Sequence, residues 1–344
     1  MDNSRFRRQL ILLLALLIIV MFVSLSMGRY SNSPLKVLNA LWYRIGLKQS
    51  TGAGMDSGFD PVMDSIVFYV RLPRIIVSML VGAMLSLSGA VYQGVFKNPL
   101  ISPDLLGVSS GASVGAALAI IIGSSLAQRQ ITAFLGGLLA VYLSTSIPRI
   151  FKHRSNMMLV LSGIIVSGFL SSILAIMKFV AEEQTELSSI VFWQMGSMAK
   201  VLGKEVIAII PVFVICTTIL WLLSWRINIL SFGDLEAKSL GVNINQIRGI
   251  IIICASLLTA SSVSISGTVG WVGLVIPHLS RLAIGMDNTK VVPMTVAMGA
   301  LFMLVIDTLA RTVSTVEIPL SILTGFVGAP LFAYLLYKQK TMVQ

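Results

Sequence analysis

The run LILLLALLIIVMFV at 10–23 contains no polar residue, and Arg5, Arg7 and Arg8 stand just before it. Widened to 9–27, it approaches the roughly 20 residues that a helix needs to cross a bilayer. No small-residue cleavage site follows, since Ser24, Leu25, Ser26, Met27 and Gly28 lead on to further apolar stretches. The segment therefore reads as an uncleaved first span whose basic end stays in the cytoplasm.

Working outward, comparable runs fall at about 72–95, 106–124, 130–148, 157–179, 205–224, 247–265, 270–285, 291–310 and 321–337. Ten crossings predict an all-α membrane protein whose C-terminus returns to the side of its N-terminus. Of the 344 residues, 56% are hydrophobic and 11% charged, against about 25% charged in a typical soluble chain. Too little polar surface remains to coat a water-soluble globule. The net charge of +11 is scattered singly between apolar runs, without the basic stripe of a nucleic-acid binder. Arg149, Lys152 and Arg154, with Lys338 and Lys340, put the short basic loops on the N-terminal side, which predicts cytoplasmic termini.

One membrane domain, 1–344, is expected, with two polar excursions. Segment 28–70 reads as an external loop or surface helix. Segment 225–248 is a cytoplasmic connector in which FGDLEAKSLGVN (232–243) forms a short helix bracketed by Gly233 and Gly241. A repeat is also visible: SLSGAV at 86–91 and SISGTV at 264–269 stand 178 residues apart, and the same offset pairs Pro99 with Pro277 and Gly107 with Gly285. Five crossings separate the copies, so they would have inverted topology.

Gly107, Gly111 and Gly115 form a GxxxGxxxG face suited to close helix packing. GVSSG at 107–111 also matches a hydrolase GxSxG, but that elbow needs a preceding strand. An intramembrane hydrolase would further require Ser109 to meet His278. Cys216 and Cys254 lie in apolar runs and read as buried thiols, and no metal-ligand cluster is seen. Asn98, Pro99, Ser102 and Pro103 interrupt the chain after the second span, as a gate or a simple turn would. Asp307 and Arg311 share a helix face, so they pair locally or, with Arg71 and Arg74, contribute to a basic ring for an acidic partner. Asp307 is the obvious candidate for a titrating carboxylate, should the chain be a proton-driven transporter. With no GxxxxGK[ST] loop, ATP and its Mg ion would be handled by another subunit, and no cofactor by this chain.

Several runs resemble the FecCD-type permeases of ABC importers for iron-siderophores, haem and cobalamin. They are RLPR (71–74), GAMLSLSGAVYQGVFKNPLISPDLLGVSSGASVGA (82–116), FWQMGS (192–197), DLEAKSLGVN (234–243), SISGTVGWVGLVIPHLSRLAIG (264–285), DTLAR (307–311) and EIPLSILTGFVGAPLF (317–332). The resemblance implies a type II importer architecture in the bacterial inner membrane: a homodimer of ten-helix, non-enzymatic subunits, two ATPase subunits and an extracytoplasmic substrate-binding protein. It implies docking of that protein on Arg71, Arg74 and Arg311, and a cytoplasmic gate at Asn98, Pro99 and Leu100. It also implies coupling to the ATPase through Asp234, Leu235, Glu236, Ala237, Leu240 and Gly241. KNPLISPD departs from the commoner NPLAxP, and 28–70 is longer than usual. The expected cargo is an iron-siderophore, with haem or cobalamin as alternatives.

Overall fold

The structure, a computed structural model, describes residues 3–28, 37, 61–151, 155–233, 239, 241 and 243–343. Its helices are α1 (Asn3–Ser26), α2 (Leu72–Phe96), α3 (Val108–Ile121), α4 (Leu126–Ile150), α5 (Asn156–Val180), α6 (Ser188–Met195), α7 (Gly203–Leu222), α8 (Ser224–Phe232), α9 (Ile244–Ser266), α10 (Val272–Ile284), α11 (Asn288–Thr312) and α12 (Leu320–Val343). Among the described residues there is no strand. Each of the ten predicted spans coincides with a helix. Eight helical runs are long and apolar enough to cross a membrane. The second of these begins earlier than expected: short turns over 61–71 continue into α2 as one run, Val62–Phe96, so the end of the supposed external segment is helical.

The other two predicted spans are α3 and α10, of 14 and 13 residues. At 1.5 Å per residue each reaches about 20 Å, short of the ~30 Å hydrocarbon layer. What remains of each crossing is made by irregular chain, at 97–107 before α3 and 267–271 before α10. Irregular backbone is tolerated at that depth only when protein surrounds it.

That surrounding protein is centred on α2, whose apolar window is 83% buried. It packs on α11, α9, α10 and α7. Glycine permits the closest approach, since a Cβ at Gly89 would overlap the Gly273 backbone. By contrast α1 is 17% buried, and Leu12, Leu16, Ile18 and Ile19 face outward, as lipid contact requires. Helix starts are capped: Ser125 and Gln128 form a capping box on α4, and Ser155, Asn243 and Asp287 cap α5, α9 and α11.

The internal repeat is corrected. Residues 86–91 lie inside α2, whereas 264–269 run off the end of α9, so the 178-residue offset pairs unlike elements. Element order recurs instead as long, short, long, long: α2 to α5, then α9 to α12. The last three members start 162–164 residues after their counterparts. Tyr92 and Ser88 of α2 bond Ile252, Ser256 and Ala255 of α9, and Ser197 joins Ser266 O at the end of α9 to Glu317, the partner of Arg74 at the start of α2, so the two helices run antiparallel, as inversion demands.

Candidate functional site

The two irregular segments meet midway along α2. A Cβ at Gly273, the second residue of α10, would overlap Pro103 and the carbonyl of Leu85. Gln93 of α2 bridges the two segments, its Nε2 donating to the carbonyls of Ile101 (3.3 Å) and Leu274 (3.4 Å). Its Oε1 accepts from Arg281, which also donates to Ala90 O at 2.9 Å. Beside this junction lies a cavity of about 470 Å³. Hydroxyls line it, from Ser102, Ser109, Ser110, Ser113, Ser171, Thr259 and Thr268. The ionisable group among its walls is Asp104, which accepts the Ser109 N–H at 2.6 Å and so caps α3. Trp271 forms one wall with an unusual left-handed backbone, φ 70°. Such a lining offers weak, exchangeable hydrogen bonds and few fixed charges, which suits passage better than retention.

Arg71, Arg74 and Arg311 gather at the end of the bundle where α1 finishes and α2 begins, but they do not project outward. Arg71 is 5% and Arg311 8% exposed. Arg71 donates to Leu25 O at 2.6 Å, and Arg311 donates to Met27 O at 2.9 Å and to the carbonyl and hydroxyl of Ser24. The last carbonyls of a helix lack intrahelical partners and carry partial negative charge, so two guanidiniums there close the end of α1. Arg74 is held by two carboxylates, Asp307 at 2.7 Å and Glu317 at 2.8 Å. The expected Asp307–Arg311 pair exists at 3.9 Å, but Asp307 bonds chiefly to Arg74. Glu317 also accepts from Ser197 Oγ at 3.0 Å, which ties in the 196–202 loop.

Asn98, Pro99 and Leu100 lie at the opposite end. Lys97 ends α2 in the left-handed conformation, φ 54°, and Asn98 Oδ1 accepts the Leu100 N–H at 2.9 Å, a compact Asx turn that leaves Leu100 exposed. The coupling residues Asp234, Leu235, Glu236, Ala237 and Leu240 lie outside the described residues. Gly241 is in a turn at φ 73°, and Gly233 ends α8 at φ 150°, where side-chain-bearing residues are strained. Asn228 of α8 bonds Asp287 and Asn288, and a Cβ at Gly94 would meet Ile227, which places α8 and the start of α11 at the Asn98 end of α2.

Gly111 and Gly115 face α4, where a Cβ on either would overlap the backbone of Gly136 or Thr132. Gly107 instead supplies a left-handed start to α3. No strand precedes Ser109, and His278 packs edge-on to Phe332, away from the cavity walls. The hydrolase geometry is absent among the described residues. Cys216 and Cys254 are buried and free. Glu317, Gln93 and Trp271 were not singled out from sequence, because each matters through a neighbour that is distant along the chain.

A family model described as the FecCD transport family matches residues 16–338. The chain is 42% identical over 325 residues to the molybdate import system permease protein MolB of Haemophilus influenzae, covering 94% of each chain. It is 32% identical to the hemin transport system permease protein HmuU of Yersinia pestis, covering 98% of each. A solved chain described as an inward-facing ABC transporter of the metal-chelate type superposes with a TM-score of 0.85 at 40% identity, covering 96% of this chain and 99% of that one. With these relationships and a hydroxyl-lined cavity at the junction of two short helices, the chain belongs to the FecCD transport family, the multi-pass permeases of ABC importers.

Proposed function

We propose that two copies of this chain form the passage of an importer in a bacterial inner membrane, with both termini cytoplasmic and a metal chelate, foremost an iron-siderophore, as cargo. The cavity carries this reading. Its serine and threonine walls hold one carboxylate, already engaged as a helix cap, so a bulky chelate meets no strong fixed charge. Two ATPase subunits would sit at the end bearing Asn98, Pro99 and Leu100, engaging the 232–243 connector, and a substrate-binding protein would dock over Arg71, Arg74 and Arg311. ATP and Mg then belong to the ATPase. Closure of the ATPase pair moves the connector and the 97–107 segment, exposing the cavity to one side at a time.

Molybdate is the second cargo reading, favoured by the 42% identity to a permease described for that oxyanion. Co-reconstitution with the cognate ATPase and binding protein in vesicles separates the two. ATP-dependent uptake of labelled ferric siderophore supports the first reading, uptake of labelled molybdate the second, and uptake of neither rejects both.

A further inference from the structure

A second cavity, of about 430 Å³, lies at the end of the bundle that bears Arg74, among the start of α4, helix α6, the 196–202 loop and the start of α12. That volume is in the range of small-molecule sites. The cavity adjoins the central, hydroxyl-lined one. Trp193 and Gly267 line the outer chamber, and their chain neighbours Gln194 and Thr268 line the central one. Backbone makes up the partition: Thr268 Oγ1 donates to the Gln194 carbonyl, the Ser197 N–H donates to Ser266 O at 2.9 Å, and a Cβ at Gly267 would overlap the Trp193 carbonyl.

The outer chamber joins two cations without carboxylate partners to an aromatic face. Arg129 stands in the first turns of α4, where its Nε donates to Ser124 O at 3.1 Å and its terminal nitrogens have no further partner among the described residues. No acidic residue occupies the first turn of α4, so this guanidinium adds to the positive end of the helix dipole instead of offsetting it. Lys200, exposed on the 196–202 loop, is likewise without a hydrogen-bond or ion-pair partner among the described residues. The carboxylate among the described walls, Glu317, is engaged by Arg74 at 2.8 Å and by Ser197 at 3.0 Å. Glu182 and Glu186, on the turn leading into α6, are bonded within that turn and do not line the cavity, nor does Glu183. Phe192 is 66% exposed, and Trp193 is seated against Ala112, Ala116, Ala133 and Val263.

We infer, resting on the import reading above, that this outer chamber is the receiving site for cargo, and that it takes an anionic metal chelate built from aromatic rings. Arg129 and Lys200 complement the charge, and Phe192 and Trp193 offer flat faces for the rings. A bare tetrahedral oxyanion would leave most of the 430 Å³ empty and both aromatic faces untouched.

The test uses the whole permease in detergent free of anionic lipid, with binding of radio-iron-labelled chelates followed by equilibrium dialysis. The probes are a trianionic ferric tris-catecholate and a neutral ferric tris-hydroxamate of similar size. The tris-catecholate is expected to bind about tenfold more tightly. Arg129→Gln and Lys200→Gln should each weaken it about fivefold, Phe192→Ala about threefold, and Arg129→Lys should restore most of the loss, with the thermal midpoint unchanged throughout. Equal binding of the two chelates, saturable binding of neither, or tris-catecholate binding unmoved when Arg129→Gln and Lys200→Gln are combined would overturn the site. So would competition by molybdate as effective as that of unlabelled chelate, or displacement by phosphatidylglycerol alone, which would give the cations to a lipid head group. Selective, cation-dependent binding in a permease whose assembled importer takes up no ferric siderophore leaves the site standing and sinks the cargo reading. Uptake of the ferric tris-catecholate that the combined variant does not slow sinks the site and leaves the cargo reading standing.

Discussion

Arg74 grips Asp307 with two nitrogens, Nε at 3.0 Å and Nη2 at 2.7 Å, and the carboxylate beneath it is wholly buried. The two residues are 233 positions apart, and the fork joins the start of α2 to the end of α11. Removing one member of a fully buried pair costs about 3–5 kcal/mol, and here the loss of Asp307 leaves Arg74 with the less buried Glu317 alone, which puts the expectation at or below the lower end. Asp307→Asn should therefore lower the thermal midpoint in detergent strongly, whereas Glu317→Gln, at the more exposed partner, should cost about 1 kcal/mol. Equal effects would show that the buried fork is not the anchor.

Docking on Arg71 and Arg74 cannot be separated from folding, because Arg71 also closes the end of α1. Arg71→Glu with Arg74→Glu should reduce both affinity for the binding protein and the thermal midpoint. Arg74→Glu alone leaves the α1 cap intact but sets a third carboxylate against Asp307 and Glu317, so it too should lower the thermal midpoint. Unchanged binding-protein affinity in the double variant, measured on the fraction that folds, would reject docking at this face.

Gly111→Val would push a branched side chain into the Gly136 carbonyl. Overpacking of this kind costs about 1–3 kcal/mol, and the rigid backbone opposite puts the expectation at the upper end. A thermal midpoint equal to wild type would show that α3 and α4 can separate freely.

Partial burial alone would raise the pKa of Asp287, but hydrogen bonds from Thr289 and Asn228 and the charge of Lys290 outweigh it and hold the carboxyl below its ordinary range. A depressed folded-state pKa gives stability that is complete above the unfolded value of about 4 and is lost as pH falls through the lower folded value. Wild type should thus exceed Asp287→Asn in thermal midpoint near neutrality, and the gap should close on acidification below about pH 4. A gap independent of pH would assign the clamp to shape rather than charge.

The number and position of the spans were legible because lipid as solvent makes apolar length almost a direct record of structure. Runs such as 157–179 became helices within a few residues of their predicted ends. The shortness of α10 was not legible, since 267–271, GTVGW, is as apolar or as small as a helix would be; before α3, Pro99 and Pro103 already marked a break. Nor was the inward turn of Arg71 and Arg311: their acceptors are main-chain oxygens of α1, which sequence spacing cannot reveal. The repeat misled for a related reason. Small residues recur wherever helices touch, so SLSGAV and SISGTV match in composition while occupying different places.

Because neither short helix crosses the bilayer alone, the insulation of this part of the chain is a joint, made where Pro103 abuts Gly273. A joint parts sideways over a small distance, whereas a full-length helix would have to slide or tilt as a unit. Damage at that point should reveal itself first as leakage of water and ions through an otherwise intact scaffold, before any loss of assembly.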